Sequence, residues 1–180
     1  MMSEPTSVSC PPGIATRYLP FSVASVWPDG ASTLRTVNLG DVTVDGTKVF
    51  DYTGISYEVT TELTWSQLAG AGLQLRRSPS GGRHIDAGIY ADYAFLTRRN
   101  TVNADPSGKW QESHAPFDPS AGTVKLRILV DRTSVEMFVD DGRYVHTSQV
   151  FPYLLDTRLA LFTIGGSAVF RNTVIREFSV

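Results

Sequence analysis

The chain has 180 residues, 42% of them hydrophobic and 19% charged, enough to bury the core of one globular domain. Its 16 basic and 18 acidic residues leave a formal charge of -2 with no long run of either sign, which argues against an electrostatic grip on nucleic acid or an anionic membrane. The single Cys10 allows no internal disulfide, and no window approaches the roughly 18 apolar residues of a membrane-spanning helix.

Residues 1–16 are rich in Ser, Pro and Thr and read as a flexible lead, with a single domain expected over 17–180. The lead has neither a basic nor an apolar region of the kind an export signal needs, although a piece of a longer secreted protein would look the same. From Arg17 onward, short β-branched and aromatic runs alternate with turn signals: FSVASV before WPDG, TLRTVNLGDVTV before DGT, ISYEVTTELTW, GLQLRR before SPSGGR, and HIDAGIYADYAFLTRR. VKLRILVD, SVEMFVD, RYVHTSQVF, RLALFTI and AVFRNTVIREFSV follow. Many short strands at this spacing predict an all-β fold, an antiparallel two-sheet β-sandwich of jelly-roll or lectin-like type. The best helix candidate, TWSQLAGAG at 64–72, carries too many glycines and reads as a strand end and a loop.

The segment 124–150 is the most informative. In VKLRILVD, residues Val124, Leu126, Ile128 and Val130 alternate with Lys125, Arg127, Leu129 and Asp131. A two-residue tip at Arg132 and Thr133 pairs Val130 with Val135, Ile128 with Met137 and Leu126 with Val139, so one face is apolar on both strands. The other face pairs Asp131 with Ser134, Leu129 with Glu136 and Arg127 with Phe138. Asp131 and Glu136 become diagonal neighbours with backbones about 7–8 Å apart. Asp141 and Gly142 suit a tight I′ turn that folds the second strand back on RYVHTSQVF. Two like charges held this close need something between or beside them. One answer is an ion-pair network with Arg127, Arg132 or Arg76. The other is a sugar, because carboxylates accept from vicinal hydroxyls while arginine donates to them.

These residues carry a resemblance. LRILVDRTSVEMFVDDG, the later Phe151-Pro152, and the strand ending in Gly165-Gly166 resemble the carboxy-terminal β-sandwich of glycoside hydrolase family 32, the invertases, inulinases and levanases. They are similar also to a related fructan-binding module, carbohydrate-binding module family 66. The likeness covers about residues 52–180, leaving 1–51 without a family signal. It implies a noncatalytic role, recognition of a terminal fructosyl unit of a fructan or fructosyl oligosaccharide. The alternative it leaves open is a structural or dimerising sandwich that braces a catalytic β-propeller and has no sugar affinity. The propeller's own motifs are absent, so no catalytic residue is expected, and an extracellular setting follows if the chain belongs to a secreted fructanase. The expected ligand-binding residues are Asp131 and Glu136 as hydroxyl acceptors, Arg76 and Arg132 as donors or charge balance, and Glu58, Tyr90 and Trp110 as further contacts. No cofactor is implied. His84, His114 and His146 lack metal-ligand spacing, so no metal is expected.

Overall fold

The computed structural model describes residues 33–101 and 111–179. Ten strands account for most of them: β1 (Thr33–Thr53), β2 (Tyr57–Thr64), β3 (Gly70–Arg77), β4 (Ile85–Tyr90), β5 (Tyr93–Thr97), β6 (Glu112–Pro116), β7 (Thr123–Val130), β8 (Ser134–Val139), β9 (Tyr144–Gln149) and β10 (Arg158–Phe178). The described residues hold no α-helix, only a 3-10 turn at Pro119–Ala121. The lead expected over 1–16 and the run FSVASV lie outside the described residues.

All pairings are antiparallel, in the order β6-β5-β4-β3-β10-β2-β7-β8-β9, with β1 along β10. β10 makes two sheets of this ribbon. Its first part, Arg158–Ile164, pairs with β3, and its second, Val169–Glu177, pairs with β2. The corner between them is Gly165-Gly166. Gly165 has φ +70°, and a Cβ on Gly166 would run into the Gln67 carbonyl oxygen. β1 turns the same corner at Gly46, φ +83°, whose N–H donates to Thr163 Oγ1 at 2.9 Å. The far edges approach each other where Arg98 Nη1 donates to the Gln149 carbonyl at 2.8 Å and Ser113 Oγ meets His146 Nδ1 at 2.8 Å. The result is the all-β, two-sheet sandwich expected from the sequence.

Alternation builds the core. Tyr57, Val59 and Leu63 of β2, Leu126, Ile128 and Val130 of β7, and Val135, Met137 and Val139 of β8 are buried in one cluster with Leu73, Leu75, Ile85, Leu96 and Leu161 of the other sheet. Each large apolar side chain contributes roughly 1.5–3 kcal/mol by leaving water. The stretch at 64–72, expected to be a strand end and a loop, is the end of β2, a bend and the start of β3.

Residues 33–51, without a family signal in the sequence reading, form most of β1. The strand is exposed along most of its length, with Val42, Val44 and Tyr52 as its buried apolar residues. Its first half is the expected run TLRTVNLGDVTV, and past it the strand continues through the expected DGT turn, held by backbone pairing to β10, which needs no apolar alternation.

Candidate functional site

The meander β7-β8-β9 has the expected register: Val130 opposes Val135, Ile128 opposes Met137 and Leu126 opposes Val139. On the outer face, Leu129 of β7 lies between Glu58 of β2 and Glu136 of β8, and Glu136 in turn opposes Thr147 of β9. The β7-β8 tip closes through the Asp131 N–H, which donates to the Ser134 carbonyl at 2.9 Å. Neither Arg132 nor Thr133 takes a positive φ, so this is not the I′ turn a two-residue hairpin prefers. The Val150 N–H donates to the Thr133 carbonyl at 2.8 Å and ties the tip to the end of β9. At the second turn the positive angles begin one residue earlier than expected, at Asp140 (φ 48°) and Asp141 (φ 57°), and continue through Gly142. Val139 still opposes Tyr144.

The charges on this face are distributed unequally. Glu58, 6% exposed, is held between two guanidinium groups: Arg127 Nε donates to its Oε2 at 2.8 Å and Arg176 Nη1 to its Oε1 at 2.8 Å. Arg127 also lies over the Phe138 ring, 5.6 Å from its centroid. Glu136 is half-buried and, among the described residues, has no ion-pair or hydrogen-bond partner. Asp131 accepts from the Ser56 hydroxyl through Oδ1 at 2.8 Å. Arg132 is exposed on the rim of a cleft of about 600 Å³ that is also lined by Leu34, Gly54, Ser56, Thr157 and Phe178.

Arg76 approaches the same end of the sandwich from behind. It is 2% exposed and sits at φ +47°; its Nε donates to the Asp156 carbonyl at 2.7 Å, with Nη1 and Nη2 each 3.5 Å from the Ile55 and Tyr153 carbonyls. Burial lowers its pKa, opposed by the nearby Tyr57, Asp156 and Asp131. Burial likewise pushes the Tyr57 phenol well above its usual value.

Sequence reasoning missed the segment that Arg76 holds. Asp156, 1% exposed, takes Arg83 Nη2 on Oδ1 at 2.7 Å and Arg83 Nε on Oδ2 at 3.0 Å, and also accepts from the Tyr153 N–H at 3.2 Å. The Arg83 guanidinium covers the Tyr153 ring at 4.8 Å. This apparatus presents Leu154 at 82% exposure and Leu155 at 76%. The available signal was an apolar Tyr153-Leu154-Leu155 run closed by an aspartate.

Tyr90 is not with the acids. It ends β4, in the sheet opposite β7 and β8, so the two positions face away from each other. Trp110 lies outside the described residues. Among the described residues no three His, Cys, Asp or Glu side chains group as a metal site.

Comparison with known proteins bears on what this site serves. The family model for the C-terminal part of the glycosyl hydrolases of family 32 matches residues 29–177, so the family signal begins well before the residue 52 expected from the sequence. The chain is 41% identical over 148 residues to the levanbiose-producing levanase of Bacillus subtilis, covering 81% of this chain and 29% of that enzyme. It is 44% identical over 55 residues to the extracellular exo-inulinase of Aspergillus awamori, 30% of this chain and 10% of that one. The crystal structure of exo-inulinase from the same Aspergillus superposes with a TM-score of 0.61 at 25% identity, over 85% of this chain and 29% of that one. A fructofuranosidase from Schwanniomyces occidentalis, solved with fructose, shares the fold with a TM-score of 0.67 at 14% identity, over 86% of this chain and 35% of its own. The chain thus spans about a third or less of these relatives, and the part it spans is the same in sequence and in fold: it belongs to the C-terminal domain family of the family 32 glycosyl hydrolases.

Proposed function

We propose that this domain is a noncatalytic fructan-binding module that takes a terminal fructosyl unit at the β7-β8 hairpin. The observation that carries the proposal is Glu136: a half-buried carboxylate without a partner among the described residues, set beside Leu129 and Thr147, while its neighbour Glu58 is neutralised by two arginines. A carboxylate in such a place accepts two hydroxyls at once, and Phe138 beside it offers apolar surface to a sugar ring. Asp131, with Oδ1 on Ser56, offers Oδ2 as a second acceptor. Arg132 donates from the tip, and Arg76 balances the Asp131 charge from beneath. Glu58 fixes the sheet under the ligand. The module acts outside the cell, joined to a fructan-cleaving enzyme, and has no hydrolytic step of its own. Calorimetric titration with levan, inulin and sucrose tests this. Binding to at least one of them, weakened at least about tenfold by Glu136→Gln with the fold intact, is the expected result.

A second reading has its own observation, the exposed Leu154 and Leu155 on a loop fixed by Asp156. Rigid apolar side chains of this kind suit a protein partner, and the loop runs into Thr157, which lines the same cleft as Leu34 and Phe178. In this reading the loop seats the sandwich against a catalytic propeller, and the domain braces the enzyme. Loss of sugar binding in the wild type, with a stable complex between this chain and a catalytic propeller, would favour it over the first.

A further inference from the structure

The outer face of the second sheet carries an aromatic array that the fructosyl site does not use. Tyr90 of β4 opposes Tyr93 of β5, their ring centroids 5.9 Å apart, and the Tyr93 ring stacks on His114 of β6 at 4.2 Å and 25°. Phe95 meets the edge of Tyr93 at 6.2 Å and 70°. The array crosses three neighbouring strands, about 10 Å, the length of roughly two sugar rings. Its orientation is fixed by the backbone. A Cβ on Gly70 would stand 2.8 Å from Tyr90 Cδ2, so the ring lies over the glycine, with Ile164 beyond it on the next strand. Tyr90 is 39% exposed and the His114 side chain 49%. Polar groups border the rings: the Glu112 carboxylate bonds His114 and lies 3.5 Å from Arg99 Nε, and Asp92 is exposed in the turn between Tyr90 and Tyr93.

Flat rings with a rim of acceptors and donors are the chemistry that takes a neutral saccharide: the rings cover the C–H face of a sugar and the rim bonds its hydroxyls. A protein partner would call for a deeper apolar pocket, and the mixed signs on the rim give a charged polymer no purchase. We propose that Tyr90, Tyr93 and His114 form a second saccharide platform, which binds an internal stretch of the same fructan whose end is held at Glu136. This rests on the fructan-binding reading above. The two sites lie on opposite faces of the sandwich, so one domain engages two segments of polymer and gains avidity that a free sugar cannot show.

Titration of the whole chain with levan and, separately, with fructose tests the platform. The Tyr90→Ala, His114→Ala double variant should bind levan roughly tenfold or more weakly through loss of the second contact and bind fructose as the wild type does. Tyr90→Phe, which keeps the ring, should bind levan as the wild type does; a loss equal to that of the double variant would contradict stacking. Glu136→Gln should lose fructose while retaining weak levan binding. Wild-type levan affinity in the double variant, with a fructose loss in Glu136→Gln, overturns the platform and leaves the fructosyl site standing. A levan loss in the double variant, with Glu136→Gln unchanged for both sugars, overturns the fructosyl site and keeps the platform. Unchanged melting temperatures confirm that each variant is folded.

Discussion

Glu58 and Glu136 flank the same leucine on neighbouring strands and have opposite surroundings. Two guanidinium groups bond Glu58, whereas Glu136 has no partner among the described residues. Removing the Glu58 carboxylate leaves Arg127 and Arg176 facing each other, one of them largely buried, so Glu58→Ala should cost about 2 kcal/mol in urea unfolding, discounted from a fully buried pair because Arg176 is partly exposed. Glu136→Gln removes no contact and should change stability by less than about 0.5 kcal/mol. Arg76 is the extreme case: Arg76→Met strands the carbonyls of Asp156, Ile55 and Tyr153 and should cost about 3 kcal/mol. At this scale the sequence is informative about pairs within one hairpin, since period-two alternation sets which side chains share a face. It says little about which carboxylate an arginine takes. Arg127 faces Phe138 as expected, but its ion pair is with Glu58 on a strand some 69 positions away.

Among the elements, the seam between β6 and β9 and the bend in β10 decide whether the two sheets stay together. His146 is 3% exposed, with Nδ1 on Ser113 and Nε2 buried without a partner among the described residues. Burial, with a smaller contribution from His114, lowers its pKa from the ordinary 6.5. The unfolded chain therefore takes up a proton at higher pH than the folded one. Its contribution to stability is complete above about pH 6.5 and is lost as the pH falls from there toward the depressed folded value. A melting temperature followed against pH should fall through this window, and His146→Gln should flatten that part of the curve. At the β10 corner, Gly165→Ala places a Cβ at φ +70° and 3.0 Å from the Ala69 Cβ, and should cost about 1–3 kcal/mol. The strands of the core were legible because each has a buried and an exposed face. β1 was legible over TLRTVNLGDVTV but not past the DGT turn signal, because its exposed remainder is held by backbone hydrogen bonds without such a period, and β10 read as two runs because the glycine corner interrupts it.

The sandwich as a whole presents two outer faces and one end with distinct chemistries: carboxylates over β7 and β8, rings over β4, β5 and β6, and leucines on the loop before β10. That Tyr90 and Glu136 face apart could not be read from the sequence, since strand order puts β3, β10, β2 and β7 between β4 and β8 and this order depends on long-range pairing. The likeness of the Asp131–Gly142 stretch to its family was legible because a tight hairpin preserves spacing. The central claim is that Glu136 is kept free of arginine in order to meet a sugar. Its most direct test is calorimetric titration of levan into the wild-type chain and into Glu136→Gln. Saturable binding by the wild type, weakened at least about tenfold in the variant at unchanged melting temperature, is the predicted result. Equal affinity in the two, or no affinity in either, would contradict it.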